Sequence, residues 1–547
     1  VSIPDNAAKA SSRLGGLGAV FFLGTLGAIA FYVQRQEVPS ERDLVRKAAT
    51  VLPQEVEEEK PRALPWEDRL DPTAATLVGF ANTAPAAGAA EEAPAPGAEP
   101  AAVDPDKALL VQDLNDGHRI LLTLDPVLQD SALTIFKNRE VPYAAAVMLD
   151  LRDNSVLALA GHSSMDPEVD PLEVVTAAWA PAASTFKLVT TAALLDAGVA
   201  TPSTSVCFSG GLHGIGDDDL TDDPSRDTRC ESLSDAIAHS YNLVIGKLAL
   251  RHLDQTQLAS MAKSLQFEQK IPFELSVERS PAHIPADPVD RAKVAAGFWN
   301  VDLSPVHGAV LASIFARRGT YQPPHLIAQV MSPDGSDLTP KRPEVDRVLS
   351  QEVAEQLGEM MVGTTRVGTA RKSFRDPQGN DYVAGVTVAG KTGSLTGKKA
   401  PALNYNWFIG YAPAERPEIA FAVLLANSPK WRIKAHYAAR RLVQIYTERR
   451  SAISRHREAR LTPQALVLPE RDASGALVAS SANPTPPSKP DAGKPAAADD
   501  GAKPDDKAGQ APPAAPSAPA PAKPSAKPSA PSGDLPPPPG PLPPPPA

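Results

Sequence analysis

The chain has 547 residues, a formal net charge of −10 and 58 prolines. The prolines crowd toward the two ends, so one large packed domain is expected rather than three average ones. An acidic chain with no basic stripe argues against nucleic acid as a partner, and two cysteines outside any Cys/His cluster support no metal site.

In chain order, the first element is an uncharged run from Leu14 to Gln34, in which Phe21, Phe22, Leu23, Leu26, Ile29, Phe31, Tyr32 and Val33 make a stretch long enough to cross a hydrocarbon core. It is expected as a single transmembrane helix after a cytoplasmic tail, residues 1–13. Lys9 and Arg13 precede it, while Glu37, Glu41 and Asp43 mix with basic residues after it, so the bulk of the chain is expected on the exported side. A cleaved signal peptide is the rival, because Ala28-Ile29-Ala30 has small-x-small spacing; the apolar run continues past Ala30 and favours the anchor. Residues 35–105 read as an Ala/Pro/Glu-rich spacer, 106–455 as the globular domain, and 456–547 as a Pro/Ala-rich tail from which no core can form.

Within the globular stretch, Ala144–Leu151 and Ser155–Ala160 read as strands. A buried helix is expected from Thr185 to a C-terminal Gly198, with Ser184 opening it. Ser232 with Asp235 forms a capping box for a helix leading into a turn at Ser240. Val386 to Lys391, Trp407–Tyr411 and Ile419–Leu425 give three strands with short connections, followed by a helix over Tyr437–Glu448. The expected class is α+β, an antiparallel sheet covered by helices beside a helical lobe. Cys207 and Cys230 fall between the Ser184 helix and the Ser240 turn; in an oxidising exported space a disulfide and two free thiols are both compatible with that spacing.

The chemistry concentrates in three motifs. Ser184-Thr185-Phe186-Lys187 places a hydroxyl and an amine three residues apart, hence on one helix face, where the amine can take the hydroxyl's proton. Ser240-Tyr241-Asn242 follows at a helix–helix turn, and Lys391-Thr392-Gly393-Ser394 on a strand. Any one of these is common by chance; the ordered triple is not.

With these motifs the chain resembles the penicillin-binding transpeptidases, the serine acyl-transferases that cross-link peptidoglycan. The likeness runs from about Gly117 to Tyr446 and includes Leu121–Gln129, Ala144–Leu151, Gly363–Ala370 and Asn406–Pro413. It implies the fold shared by penicillin-binding transpeptidases and serine β-lactamases, and no cofactor. It further implies peptidoglycan stem peptides and β-lactam antibiotics as ligands, and a place in the bacterial cytoplasmic membrane beside a glycosyltransferase and other cell-wall synthesis proteins of growth or division. On this resemblance Ser184 is the nucleophile and Lys187 its base. Ser240 relays a proton, Asn242 binds a substrate amide, and the backbone N–H groups of Ser184 and Ser394 form the oxyanion hole. Lys391, Thr392, Gly393 and Ser394 hold the substrate's terminal carboxylate.

Departures from the family pattern keep alternatives open. Many members have Pro-Gly before the nucleophile, where this chain has Pro181-Ala182-Ala183; if that glycine serves a left-handed turn, Ala183 must avoid the conformation or carry its strain. Ala183-Ser184-Thr185-Phe186-Lys187 also matches class D β-lactamases, although those usually carry Val where Asn242 stands. A class A lactamase needs a deacylating glutamate, for which Glu274 is the candidate and an ordinary exposed loop carboxylate the plainer reading. A Ser/His triad through His162, His213 or His239 lacks the G-x-S-x-G elbow. A D,D-carboxypeptidase and a catalytically weak scaffold member complete the alternatives; the scaffold reading fits poorly with a full set of Ser184, Lys187, Ser240 and Lys391.

Overall fold

The computed structural model describes residues 69–79, 104–210, 215–397, 402–428 and 432–461. The expected anchor at 14–34 and the tail beyond 461 lie outside the described residues, as does His213. Among the described residues no helix is long and apolar enough to cross a membrane.

The first strand, β1 (Thr76–Gly79), pairs antiparallel with β2 (Ala108–Asp113), which pairs with β3 (Arg119–Leu122). β1 falls inside the stretch expected as spacer, so that expectation is corrected for residues 69–79. Its side chains are mostly exposed, and backbone pairing to β2 makes it a strand. Helix α1 (Pro126–Asn138) starts on Asp125, whose carboxylate accepts the Leu128 N–H, with Pro126 in the first turn. The hairpin β4 (Tyr143–Asp150) and β5 (Ser155–Ser163) follows. Helix α2 (Lys187–Asp196) ends at Gly198, which takes φ +65° while Val199 donates back to the Leu194 carbonyl at 3.2 Å.

A second hairpin, β6 (Ser205–Phe208) and β7 (Arg229–Ser232), sets Cys207 directly opposite Cys230, and the two are joined as a disulfide. It feeds α3 (Leu233–His239), capped by Ser232, and then α4 (Asn242–His252). After α5 (Pro288–Ala295), helix α6 (Pro305–Ala316) is buried along its whole length, as expected of a helix apolar on every side. β8 (Ile327–Met331) pairs with β3, and α7 (Gln351–Arg366) leads to β9 (Ala389–Thr396), β10 (Asn404–Ala412) and β11 (Ile419–Asn427). The last helix, α8 (Ala435–Leu461), extends beyond both ends of the stretch read as helical.

The five-stranded sheet has the order β9-β10-β11-β4-β5, all antiparallel. Strands far apart in sequence meet at β11–β4, where Val423 faces Ala146. Both faces are covered. Ala145, Val147, Trp407, Ile409 and Leu424 pack on one side with Val310 and Ile314 of α6, while Ala146, Met148, Phe408, Phe421 and Val423 pack on the other with α1 and α8. Double coverage explains why β11 reads as a continuous apolar run without alternation.

The reading of Glu274 as an exposed loop carboxylate is also corrected. Its side chain is 14% exposed and accepts the N–H groups of Leu326 at 2.9 Å and Ile327 at 3.3 Å, with Arg342 at 3.5 Å. It pins the start of β8, and burial pushes its carboxyl above the usual range. Glu274→Gln keeps one acceptor oxygen and turns an amide N–H₂ toward a backbone donor. We expect a loss of about 1–3 kcal/mol in urea unfolding, the cost of leaving a buried donor unmet; an unchanged midpoint would show that the clamp carries no stability.

Candidate active site

Seven segments converge on one cavity of about 420 Å³, lined by Ser184, Ser240, Asn242, Thr392 and Ser394 together with Ala296, Gly297, Phe298, Thr369, Leu395, Asn406, Lys434 and His436. Lys187 and Lys391 lie behind this lining, each fully buried. The structure therefore brings the three motifs together. His162 stacks on Phe136 and His239 on Tyr241, and neither lines the cavity.

Ser184 does not open the α-helix. It sits in a 3₁₀ turn, Ala183–Thr185, and Lys187 is the first α-helical residue. The tighter turn still sets Lys187 Nζ 2.8 Å from Ser184 Oγ. The amine also reaches Asn242 Oδ1 at 2.7 Å and the Ala296 carbonyl. Both of these are obligate acceptors. A neutral amine has two N–H bonds and one lone pair, so the two carbonyl-type oxygens take the N–H bonds and leave the lone pair facing the Ser184 hydroxyl. That is the geometry of a general base.

Burial, reinforced by the charge of Lys391, holds the Lys187 amine well below the usual lysine range. Burial lowers Lys391 to about 7. Its amine donates to Ser240 Oγ and to the Thr392 carbonyl, both at 2.9 Å, which links the second and third motifs. Thr392 Oγ1 lies 2.6 Å from Thr369 Oγ1. Ser394 and Gly393 are held from β10 by Asn406, whose amide nitrogen is 2.8 Å from Ser394 Oγ and 3.3 Å from the Gly393 carbonyl.

The second motif is braced from the disulfide hairpin. Arg229, next to Cys230, lies 4.9 Å above the Tyr241 ring and donates to its hydroxyl at 2.8 Å. This fixes the residue between Ser240 and Asn242.

Sequence reasoning missed Ala296, Gly297, Phe298, Thr369, Leu395, Asn406, Lys434 and His436. Thr369 and Asn406 lie within quoted landmark stretches, yet nothing local marks them as lining. Gly297 has a steric role: a Cβ there would come within 2.4 Å of the Ala183 carbonyl oxygen, so only glycine lets the nucleophile turn approach so closely.

Ala183 takes φ +49°, so it carries the left-handed conformation that a glycine would relieve. Its neighbour Ala182 sits at φ −59°, an ordinary right-handed value. Both are buried. Relief of backbone strain, about 1–2 kcal/mol, offsets the lost methyl and the added unfolded-chain freedom at position 183 alone. Ala183→Gly should change stability by less than about 0.5 kcal/mol while Ala182→Gly costs about 1–2 kcal/mol. Equal losses by chemical denaturation would remove the strain argument.

The chain matches the penicillin binding protein transpeptidase domain family over residues 144–445. It is similar to the peptidoglycan D,D-transpeptidase PbpA of Mycobacterium tuberculosis, 28% identical over 315 residues, which are 52% of this chain and 62% of that protein. The PbpA of Mycolicibacterium smegmatis is 27% identical over 344 residues, 57% of this chain and 68% of that protein. The structure of penicillin-binding protein A from M. tuberculosis as an imipenem acyl-enzyme complex superposes with a TM-score of 0.50 at 26% identity, covering 60% of this chain and 80% of that one. The chain thus spans 62% of the length of the M. tuberculosis relative. With more than half of its residues inside the family match, and with the cavity assembled as described, this chain belongs to the penicillin binding protein transpeptidase family.

Proposed function

We propose that this protein is a serine D,D-transpeptidase that joins peptidoglycan stem peptides through an acyl-enzyme on Ser184. The observation that carries this is the contact of Ser184 Oγ with a fully buried Lys187 amine at 2.8 Å, in a cavity shared with Ser240, Asn242, Thr392 and Ser394. Ser184 Oγ attacks the penultimate D-Ala carbonyl and its proton passes to Lys187 Nζ. The C–N bond then breaks, and the terminal D-Ala leaves as an amine that receives a proton through the Ser240 hydroxyl. A second stem-peptide amine then attacks the ester, the bond from Ser184 Oγ to the acyl carbon breaks, and the amine's proton passes through Lys187 Nζ to Ser184 Oγ, regenerating the hydroxyl.

The same cavity speaks against a class A β-lactamase. None of its described lining residues is an aspartate or glutamate, and Glu274 is tied to β8, so no carboxylate stands ready to activate water against the acyl group. An acyl-enzyme shielded from hydrolysis suits transfer to an amine. We further infer that residues 14–34 anchor the chain in the bacterial cytoplasmic membrane with the catalytic domain exported. There it acts on strands supplied by a partner glycosyltransferase, in wall growth or division.

Labelled penicillin tests this reading. The wild-type chain should form a covalent adduct lasting many minutes, Ser184→Ala should form none, and Glu274→Gln should alter the adduct lifetime by less than about threefold, against the hundredfold or more contributed by a general base. Rapid turnover by the wild type, or labelling at another serine, would sink the proposal.

The buried lysines also set a pH dependence. Lys187 must be neutral to accept a proton, so acylation rises with pH through its lowered pKa; Lys391 favours a ligand carboxylate while protonated, and burial places that transition at about 7. The second-order acylation rate for benzylpenicillin should therefore rise, peak and decline as pH passes 7, while benzylpenicillin methyl ester shows the rise without the decline. Matching profiles for the two compounds would contradict the Lys391 assignment.

A further inference from the structure

Asn406 on β10 sits opposite Ser394 on β9 in antiparallel register, is 2% exposed and lines the same cavity. The two ends of its amide are not interchangeable. One end lies 2.6 Å from the backbone nitrogen of Ala435, the first residue of α8. An N–H in the first turn of a helix has no intrahelical partner and can only donate, so this end is the oxygen. The other end is then the NH₂, and it lies 2.8 Å from Ser394 Oγ and 3.3 Å from the Gly393 carbonyl.

The consequence falls on Ser394. A hydroxyl has one proton and two lone pairs, and here one lone pair is taken by the Asn406 N–H. The Ser394 proton cannot point at Asn406, because two hydrogens would meet between the atoms. Turned away, the proton shares the two remaining directions with the second lone pair, and an anionic oxygen in the cavity draws the proton toward itself. A serine free to rotate could present either its proton or its lone pairs, and so would accept neutral or donor ligands equally well. With donation to Asn406 closed off, the Ser394 proton is left for the cavity, where it offers a hydrogen bond to an anionic oxygen, and such charge-assisted bonds are roughly twice as strong as neutral ones.

We propose that Asn406 is a positioning residue that keeps the Ser394 proton available for donation into the cavity and so favours ligands ending in a carboxylate. The proposal rests on the reading that this cavity holds the terminal carboxylate of a stem peptide or its β-lactam counterpart. The direction is set through α8: the Ala435 N–H orients the Asn406 amide, and the amide orients the hydroxyl. Replacing Asn406 by aspartate keeps the size and the bond from Ala435 but converts the NH₂ into a second acceptor. Ser394 would then donate to Asp at position 406 and show lone pairs to the ligand.

The test compares acylation rates of the full chain by benzylpenicillin and by its methyl ester at one pH, for wild type, Asn406→Asp and Asn406→Ala. Wild type should favour the free acid by tenfold or more. Asn406→Asp should reduce that preference at least tenfold, mainly through a slower free-acid reaction, and Asn406→Ala, which frees the hydroxyl without reversing it, should fall between. In a Ser394→Ala background, Asn406→Ala should leave the acid-to-ester ratio unchanged, because the hydroxyl it directs is absent. Equal slowing with acid and ester would show that Asn406 is merely structural and overturn the proposal, as would an Asn406→Ala ratio equal to wild type if the aspartate variant fails to fold. No preference for the acid in the wild type would overturn the carboxylate reading itself, which separates the two failures.

Discussion

The site depends on two lysines with no access to water. Lys187 and Lys391 are each fully buried behind the cavity lining, and neither is paired with a carboxylate. A buried ammonium costs several kcal/mol unless it is neutralised or paired, and at Lys187 neutralisation serves function. Every neighbour of Lys187 is consistent with an uncharged amine: two carbonyl oxygens for its two N–H bonds and a hydroxyl for its lone pair. The helical lobe supplies Lys187 and Asn242, the loop after α5 supplies the Ala296 carbonyl, and β9 supplies Lys391. The constellation exists only when lobe and sheet are packed together.

Two of the eight non-glycine residues with positive φ among the described residues fall at the site's motifs. Ala183, just before the nucleophile, and Ser240, the serine of the second motif, both adopt left-handed conformations without being glycine, at φ +49° and +62°. Such residues persist where the surroundings over-determine them. Around Ala183 the close approach of Gly297 fills that role. Around Ser240 it is filled by the Lys391 hydrogen bond and by Arg229 stacked on Tyr241, itself held beside the disulfide. The strain turns both hydroxyls toward one cavity, which an unbroken helix through either serine would not do.

How much of this was legible in the sequence follows from the range of the forces involved. The motif spacings are local, so Ser184 beside Lys187 and Ser240 before Asn242 could be read directly, as could the strands that build the sheet. The 3₁₀ turn at Ser184 was misread as helix because it differs from an α-turn only in its hydrogen-bond register, not in its residues. Glu274 looked exposed because its partners, the N–H groups of Leu326 and Ile327, stand about fifty residues downstream. β1 was lost in an Ala/Pro-rich stretch because its signal is a backbone ladder rather than side-chain alternation. The cysteine pair stayed open until the register of β6 against β7 set the two side by side.

Asn406 shows the same limit at the level of one hydrogen atom. In the sequence it precedes Trp407 in a strand and carries no motif; its meaning comes from three segments at once, the third motif across the ladder, the first turn of α8 beyond the next strand, and the cavity between them. A buried amide with both ends committed has no freedom left, so it transmits direction from a helix terminus to a serine hydroxyl. Lys391, three residues before Ser394 on β9, is buried behind the same lining. In the proposed reading, holding the far end of a ligand at Ser394 sets its reacting carbonyl over Ser184. Precision at the nucleophile is therefore maintained in part by a residue on the second strand of the sheet.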